Sequence, residues 1–280
     1  MIKLKIIAVL LIFLLPACSM FSGNEEAQTA FIEEIEKSSA ESLFAEAEEA
    51  LNNGEYLRAI PLYEKVEQEF PYSNLATKSQ LKAAFAAYQA DEYTAAIIGL
   101  DRFIQLHPGN EEIDYAFYLK SLVYYEQISD VARDQELTTL ALKAFDTLIA
   151  RFPDSEYIRD ARLKRDLTLD HLAGKEMSIG RYYLKRNQIN SAINRFQTVV
   201  ENYQTTTHVA EALHRLVESY LTLGLRGEAI KVASVLGHNY PGSKWYQDTY
   251  KILDEKARQR MIEDQSLMNR AIGSVFRDDE

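Results

Sequence analysis

The sequence predicts an all-α chain, a solenoid of five helix-turn-helix repeats, and three observations carry that prediction. A ring-bearing residue precedes a terminator at five places: Phe70-Pro71, His107-Pro108, Phe152-Pro153, Tyr203-Gln204 and Tyr240-Pro241. Twelve positions before each terminator stands an alanine, at Ala59, Ala96, Ala141, Ala192 and Ala229. Between the two, the position five before the terminator is apolar (Val66, Phe103, Leu148, Val199, Leu236), and the position eight before it holds Tyr63, Leu100, Phe145, Phe196 and Ala233. Spacings of three and four put these residues on one helical stripe, so each copy ends in an amphipathic helix that proline cannot continue.

The elements follow in order. Ser38 with Glu41 is a candidate capping box for the first repeat helix. Small residues, Ala47 and Ala84 in the first two copies and Gly180 in the fourth, let the paired helices approach closely, and Gly54-Glu55-Tyr56 or Asp91-Glu92-Tyr93 supplies the turn. N-cap candidates for the next helices are Asn74, Asn110, Ser155 and Ser243. The terminator spacing is 37 residues, then 45, with the excess assigned to a polar turn from Ile128 to Glu136. It then reaches 51, and the run from Tyr157 to about Lys185 reads as one long helix serving repeat four. A last helix through Trp245, Tyr246, Tyr250, Ile252 and Leu253 is expected to cap the stack. From Arg258 the chain is charged and is expected to fray or be disordered. Period, small positions and closing proline resemble the tetratricopeptide repeat, which implies a right-handed solenoid.

The expected organisation is a signal at residues 1–17, a tether at 18–37, the solenoid at 38–257 and a tail at 258–280. Lys3 and Lys5 precede an apolar run from Ile6 to Leu15, too short to span a bilayer and suited to an export signal. The chain's single cysteine, Cys18, follows Leu15-Pro16-Ala17, which resembles a bacterial lipobox and makes Cys18 the candidate lipidated residue. The alternative is an ordinary signal peptide with an incidental thiol. Acyl chains on Cys18 would supply stable attachment to a membrane, and Ser19 after it favours the outer membrane by resemblance to sorted lipoproteins. One cysteine allows no internal disulfide.

The net charge of -11 becomes -13 once the two signal lysines are subtracted. That balance argues against a general nucleic-acid surface. The five histidines include no pair spaced for a metal on one helical face, and there is no nucleophile elbow, phosphate loop or dinucleotide fingerprint, so no cofactor, metal or catalytic site is expected. Repeats one to three are rich in rings, most of them packing residues, with the remainder expected to line a groove for an extended peptide. Repeat four carries Arg159, Arg162, Lys164, Arg165, Lys175, Arg181, Lys185 and Arg186. Such a run is most often a solvated face, and against an acidic background it could dock a carboxylate-bearing partner.

The stretches EFPYSNLATKSQL (69–81), DRFIQLHPGNEEIDYAFYLKSLVYY (101–125), RFPDSEY (151–157), GKEMSIGRYYLKR (174–186) and NYPGSKWY (239–246), with the lipobox-like Cys18, resemble the BamD family, outer-membrane lipoproteins of the β-barrel assembly machinery. The resemblance implies a periplasm-facing scaffold rather than an enzyme. It implies that C-terminal repeats bind the POTRA domains of BamA, that N-terminal repeats receive unfolded β-barrel precursors, and that accessory Bam lipoproteins attach. Arg195, Arg181 and Asn194 are the residues expected to face BamA, and Tyr72, Tyr88, Tyr115 and Tyr118 those expected in the precursor groove. A second class of function, a repeat protein of the cell wall or division machinery, shares such repeat ends.

Overall fold

A computed structural model describes residues 39–275, with side chains described as far as 266. The signal, Cys18, the tether and residues 276–280 lie outside the described residues. Those described form twelve helices and no strands: α1 Ala40–Asn52, α2 Tyr56–Glu69, α3 Asn74–Gln89, α4 Tyr93–Leu106, α5 Ile113–Glu126, α6 Glu136–Arg151, α7 Ile158–Lys185, α8 Ile189–Asn202, α9 Val209–Thr222, α10 Arg226–Asn239, α11 Lys244–Ile252 and α12 Glu255–Val275. They fall into two units, one ending at His107 and the other beginning at Pro108. The first holds the hairpins α1/α2 and α3/α4. The second holds α5/α6, α7/α8 and α9/α10, followed by α11 and α12.

The repeat positions do what their spacing requires. All five alanines twelve before the terminators are fully buried, as are Val66, Leu148, Val199 and Leu236, with Phe103 at 1% exposure. Tyr63, Leu100, Phe145, Phe196 and Ala233 are also at 0%. Close approach is visible at Gly180, where an added Cβ would lie 2.5 Å from Cε1 of Phe196. Only glycine fits between α7 and α8 there.

Each repeat ends in one conformation. Phe70, His107, Phe152, Tyr203 and Tyr240 have φ between -126° and -133° and ψ between 41° and 61°, and each N–H donates to the carbonyl four residues back. Tyr203 adopts this geometry before Gln204, so proline does not impose it. Tyr203 and Tyr240 both pack their rings on the apolar core.

The turns within repeats one, two, four and five are also alike. Gly54, Asp91, Asn187 and Gly224 have φ of 76°, 60°, 58° and 74°, and the following N–H reaches back to Ala50, Ala87, Tyr183 or Tyr220. This is the left-handed closure of a helix end. Repeat three instead uses the segment between Glu126 and Glu136, as the spacing predicted, and α7 spans 28 residues, also as predicted.

Three expectations are corrected. The cap of α1 is Ser39, whose side chain accepts from the N–H of Ser42, and Ser38 lies outside the described residues. Ser73, not Asn74, caps α3: Asn74 is already the first helical residue, and the extended Ser73 before it accepts on its hydroxyl from the N–H of Leu75. The stretch after Arg258 is not loose where it is described: α12 runs across the expected boundary and packs on α10. Its apolar stripe is one residue per turn wide, Ala257 and Met261, which a reading for broad amphipathic faces overlooks. That narrow stripe suffices because α10 offers the small side of Ala229, Ala233 and Gly237. A Cβ on Gly237 would run into the Gln265 amide.

Candidate functional site

The long helix α7 and its partner α8 place the residues expected to face a partner. Arg195 on α8 donates from one guanidinium nitrogen to both oxygens of Glu176 on α7, at 3.0 and 3.4 Å. The arginine side chain is 42% exposed and the glutamate 18%. The pair therefore joins a sheltered acceptor to an accessible donor. Arg195 and Asn194 line a hollow of about 200 Å³ with Tyr183, Ser191 and Thr198. Arg181, on the same long helix, is held at 3.0 Å by Glu211 of α9, which also accepts from Arg215. These pairings order the guanidinium groups; they leave neither arginine without a counter-charge.

Glu176 also borders a second hollow of about 480 Å³, with Arg133, Lys175, Leu172, Ile179 and Tyr203 among its walls. The segment before α6 is fastened over α7 by Lys175, whose ammonium donates to the carbonyls of Ala132 and Arg133 at 2.8 and 3.0 Å. His171 meets Gln135 at 3.1 Å on the same seam. Burial first, and then the Glu176 charge, push the Tyr203 hydroxyl above the usual tyrosine range.

The four tyrosines expected in one groove fall into different settings. Tyr72 stands in the turn after α2 with its side chain wholly open to solvent. Tyr88, on α3, is half-buried and its ring lies 6.4 Å from that of Phe85. Tyr115 and Tyr118, on α5 in the other unit, gather on Tyr157: Tyr115 at 5.4 Å, Tyr118 stacked at 4.8 Å with 14° between planes. The Tyr118 hydroxyl donates to Asp160 at 2.6 Å. Burial and that carboxylate raise its pKa, while burial with the nearby Tyr157 and Glu112 pushes Tyr115 up to about 12.

The sequence reading had not singled out Glu176, Glu211 or Tyr157 as partners. A signal for Glu176 existed: it and Arg195 stand ten and nine residues on either side of Arg186, the positions an antiparallel hairpin brings level. Nothing comparable marks Tyr157.

A family model described as an outer membrane lipoprotein, YfiO, matches residues 36–236. Proteins named outer membrane protein assembly factor BamD are similar over most of their length. The one from Caulobacter vibrioides is 46% identical over 228 residues, 81% of this chain and 75% of the relative. That from Rickettsia prowazekii is 47% identical over 212 residues, covering 76% and 84%. That from Neisseria meningitidis serogroup A is 40% identical over 215 residues, covering 73% and 80%. Among solved structures, the TPR protein YrrB aligns over 80% of this chain and 98% of its own at 17% identity, with a TM-score of 0.36.

Proposed function

The chain belongs to the BamD family of outer membrane lipoproteins, and from that premise we propose that it is a non-catalytic scaffold of the β-barrel assembly complex. In this reading it holds the POTRA domains of BamA through Arg195, Arg181 and Asn194, receives unfolded barrel precursors on its first unit, and carries accessory Bam lipoproteins. Lipid on Cys18 anchors it to the outer membrane, facing the periplasm.

The observation that carries this reading is the Arg195 guanidinium, gripped on one nitrogen by Glu176 while 42% of its side chain stays open. An arginine oriented in this way offers a partner carboxylate a fixed fork of donors and loses little freedom on binding. Asn194, Ser191 and Thr198 around the same hollow add neutral polar groups that suit a wet rim. On the first unit, the uncovered ring of Tyr72 is an apolar body with a polar tip, which suits a precursor strand carrying aromatic residues.

Purification from detergent-solubilised membranes tests the reading. Arg195→Glu sets a second carboxylate against Glu176 and is expected to lower BamA recovery about tenfold, the loss of one strong charge-assisted contact, with helicity unchanged. Full recovery of BamA overturns the assigned face. A photo-crosslinker at Tyr72 is expected to capture barrel precursors, and capture of none removes the precursor role. Cys18→Ser is expected to abolish metabolic lipid labelling.

A further inference from the structure

Most of the cations along α7 are committed once the chain is folded. Lys164 holds Asp160 at 2.7 Å, and Arg165 bridges Asp146 of α6 and its neighbour Asp166. Lys175 is bound by carbonyls, Arg181 by Glu211, and just beyond the helix Arg186 lies 4.7 Å over the ring of Tyr182. Arg159 and Arg162 differ, as does Lys185 at the far end of the helix: all three are exposed, and none forms an ion pair among the described residues.

Beside the two arginines, on the same exposed face, Leu163 is 60% and Leu167 52% exposed. Arg159, Arg162, Leu163 and Leu167 thus make a stripe of two turns, apolar along one edge and basic along the other. A single exposed leucine needs no explanation. Two, four residues apart and next to two unpaired arginines, form the pattern that a helix-in-groove contact reads as anchors.

We propose that this stripe of α7 is a docking surface for an acidic amphipathic helix of a partner protein, separate from the Arg195 face. The occupant's apolar residues, three or four apart, cover Leu163 and Leu167, and its flanking carboxylates pair with Arg159 and Arg162. Charge complementarity selects a protein over a lipid surface. Recruitment to anionic headgroups takes clusters of about four to eight basic residues, and this stripe has two, backed by the carboxylates of Asp160 and Asp166.

A photo-crosslinking residue in place of Leu163, in the full-length chain in native membranes, tests the proposal, with the captured peptide sequenced. The expected product is a segment of a different protein with apolar residues three or four apart and carboxylates around them. Its yield is expected to fall about tenfold in Arg159→Glu/Arg162→Glu, as two rim charge pairs become repulsive, and to fall in high salt. If that variant loses helicity, Arg159→Gln/Arg162→Gln supplies the same comparison with a smaller drop. Absence of a product, capture of lipid, capture of a segment of this same chain, or a yield indifferent to both variants overturns the proposal.

Discussion

Two stretches of α7 treat the same residue type in opposite ways. In the C-terminal half Arg181 is clasped by Glu211, and Glu176 clasps Arg195 across the hairpin. In the first two turns Arg159 and Arg162, unlike Arg165 with its Asp146, have no such partner among the described residues, and leucines lie beside them in solvent. A clasped arginine is oriented and ready for a second acceptor, whereas an unpaired one is a mobile charge on a long stem. The contrast teaches that a run of basic residues in a sequence is not one surface. Antiparallel packing divides it according to which carboxylates the neighbouring helix brings level.

The comparison breaks most severely at Gly180. Gly180→Ala drives a methyl group into the ring of Phe196, whose Cε1 stands 2.5 Å from the added Cβ. The expected cost is about 1–3 kcal/mol of overpacking, read as a lower urea midpoint. Because α7 and α8 separate, BamA recovery falls along with stability, while crosslinking at Leu163 is retained.

Next in size is Arg195→Gln, which removes the charge but adds no repulsion. We expect BamA recovery to fall severalfold while the unfolding free energy changes by less than about 1 kcal/mol, the value of a half-exposed pair. Glu176 sharpens the point. Glu176→Gln keeps an acceptor for Arg195 and is expected to leave BamA recovery within about twofold, whereas Glu176→Leu loses the acceptor and lowers it. A large loss in Glu176→Gln would mean that the glutamate charge itself takes part in the contact.

At the other half, Arg159→Gln/Arg162→Gln is expected to shift stability by no more than about 0.5 kcal/mol, as surface changes without a partner do. Its BamA recovery should match the unchanged chain.

The smallest expected effect is an alkaline one. Tyr115, Tyr118 and Tyr157 all have pKa values raised in the fold, Tyr115 to about 12, with burial the first cause in each. Their hydroxyls hold protons that the unfolded chain gives up near pH 10. Stability contributed by the cluster is therefore complete below that pH and declines as pH rises above it. Urea midpoints between pH 9 and 10.5 should show the start of the decline, and Tyr118→Phe should reduce its slope.

Much of this was legible in the sequence because repeats turn position into geometry. Ala59, Ala96, Ala141, Ala192 and Ala229 had one possible reading once their common spacing to the terminators was seen, and all five are fully buried. The long α7 and the insertion before α6 followed from the irregular spacing alone. Proline was given too large a part: Tyr203 closes its helix as the others do without one. Of the counter-charges, Glu176 left a signal in its spacing to Arg195 about the turn, but Asp146 for Arg165 did not, since carboxylates occur on every helix and packing alone selects among them. Nor was there a signal for the packing of Tyr115 and Tyr118 on Tyr157, which gathers two rings expected in a groove about a third within the second unit. The register of α12 escaped because Met261 and Ala257 are a stripe too narrow to stand out among Arg258, Arg260 and Glu263.

One paired measurement bears most directly on the claim that the α7/α8 hairpin presents two independent arginine faces. BamA recovery and the Leu163 crosslink are read side by side in Arg195→Glu and in Arg159→Glu/Arg162→Glu, with helicity checked in both. The expected result is a double dissociation, the first variant losing BamA and keeping the crosslink, the second doing the reverse. A variant with native helicity that loses both together would contradict it.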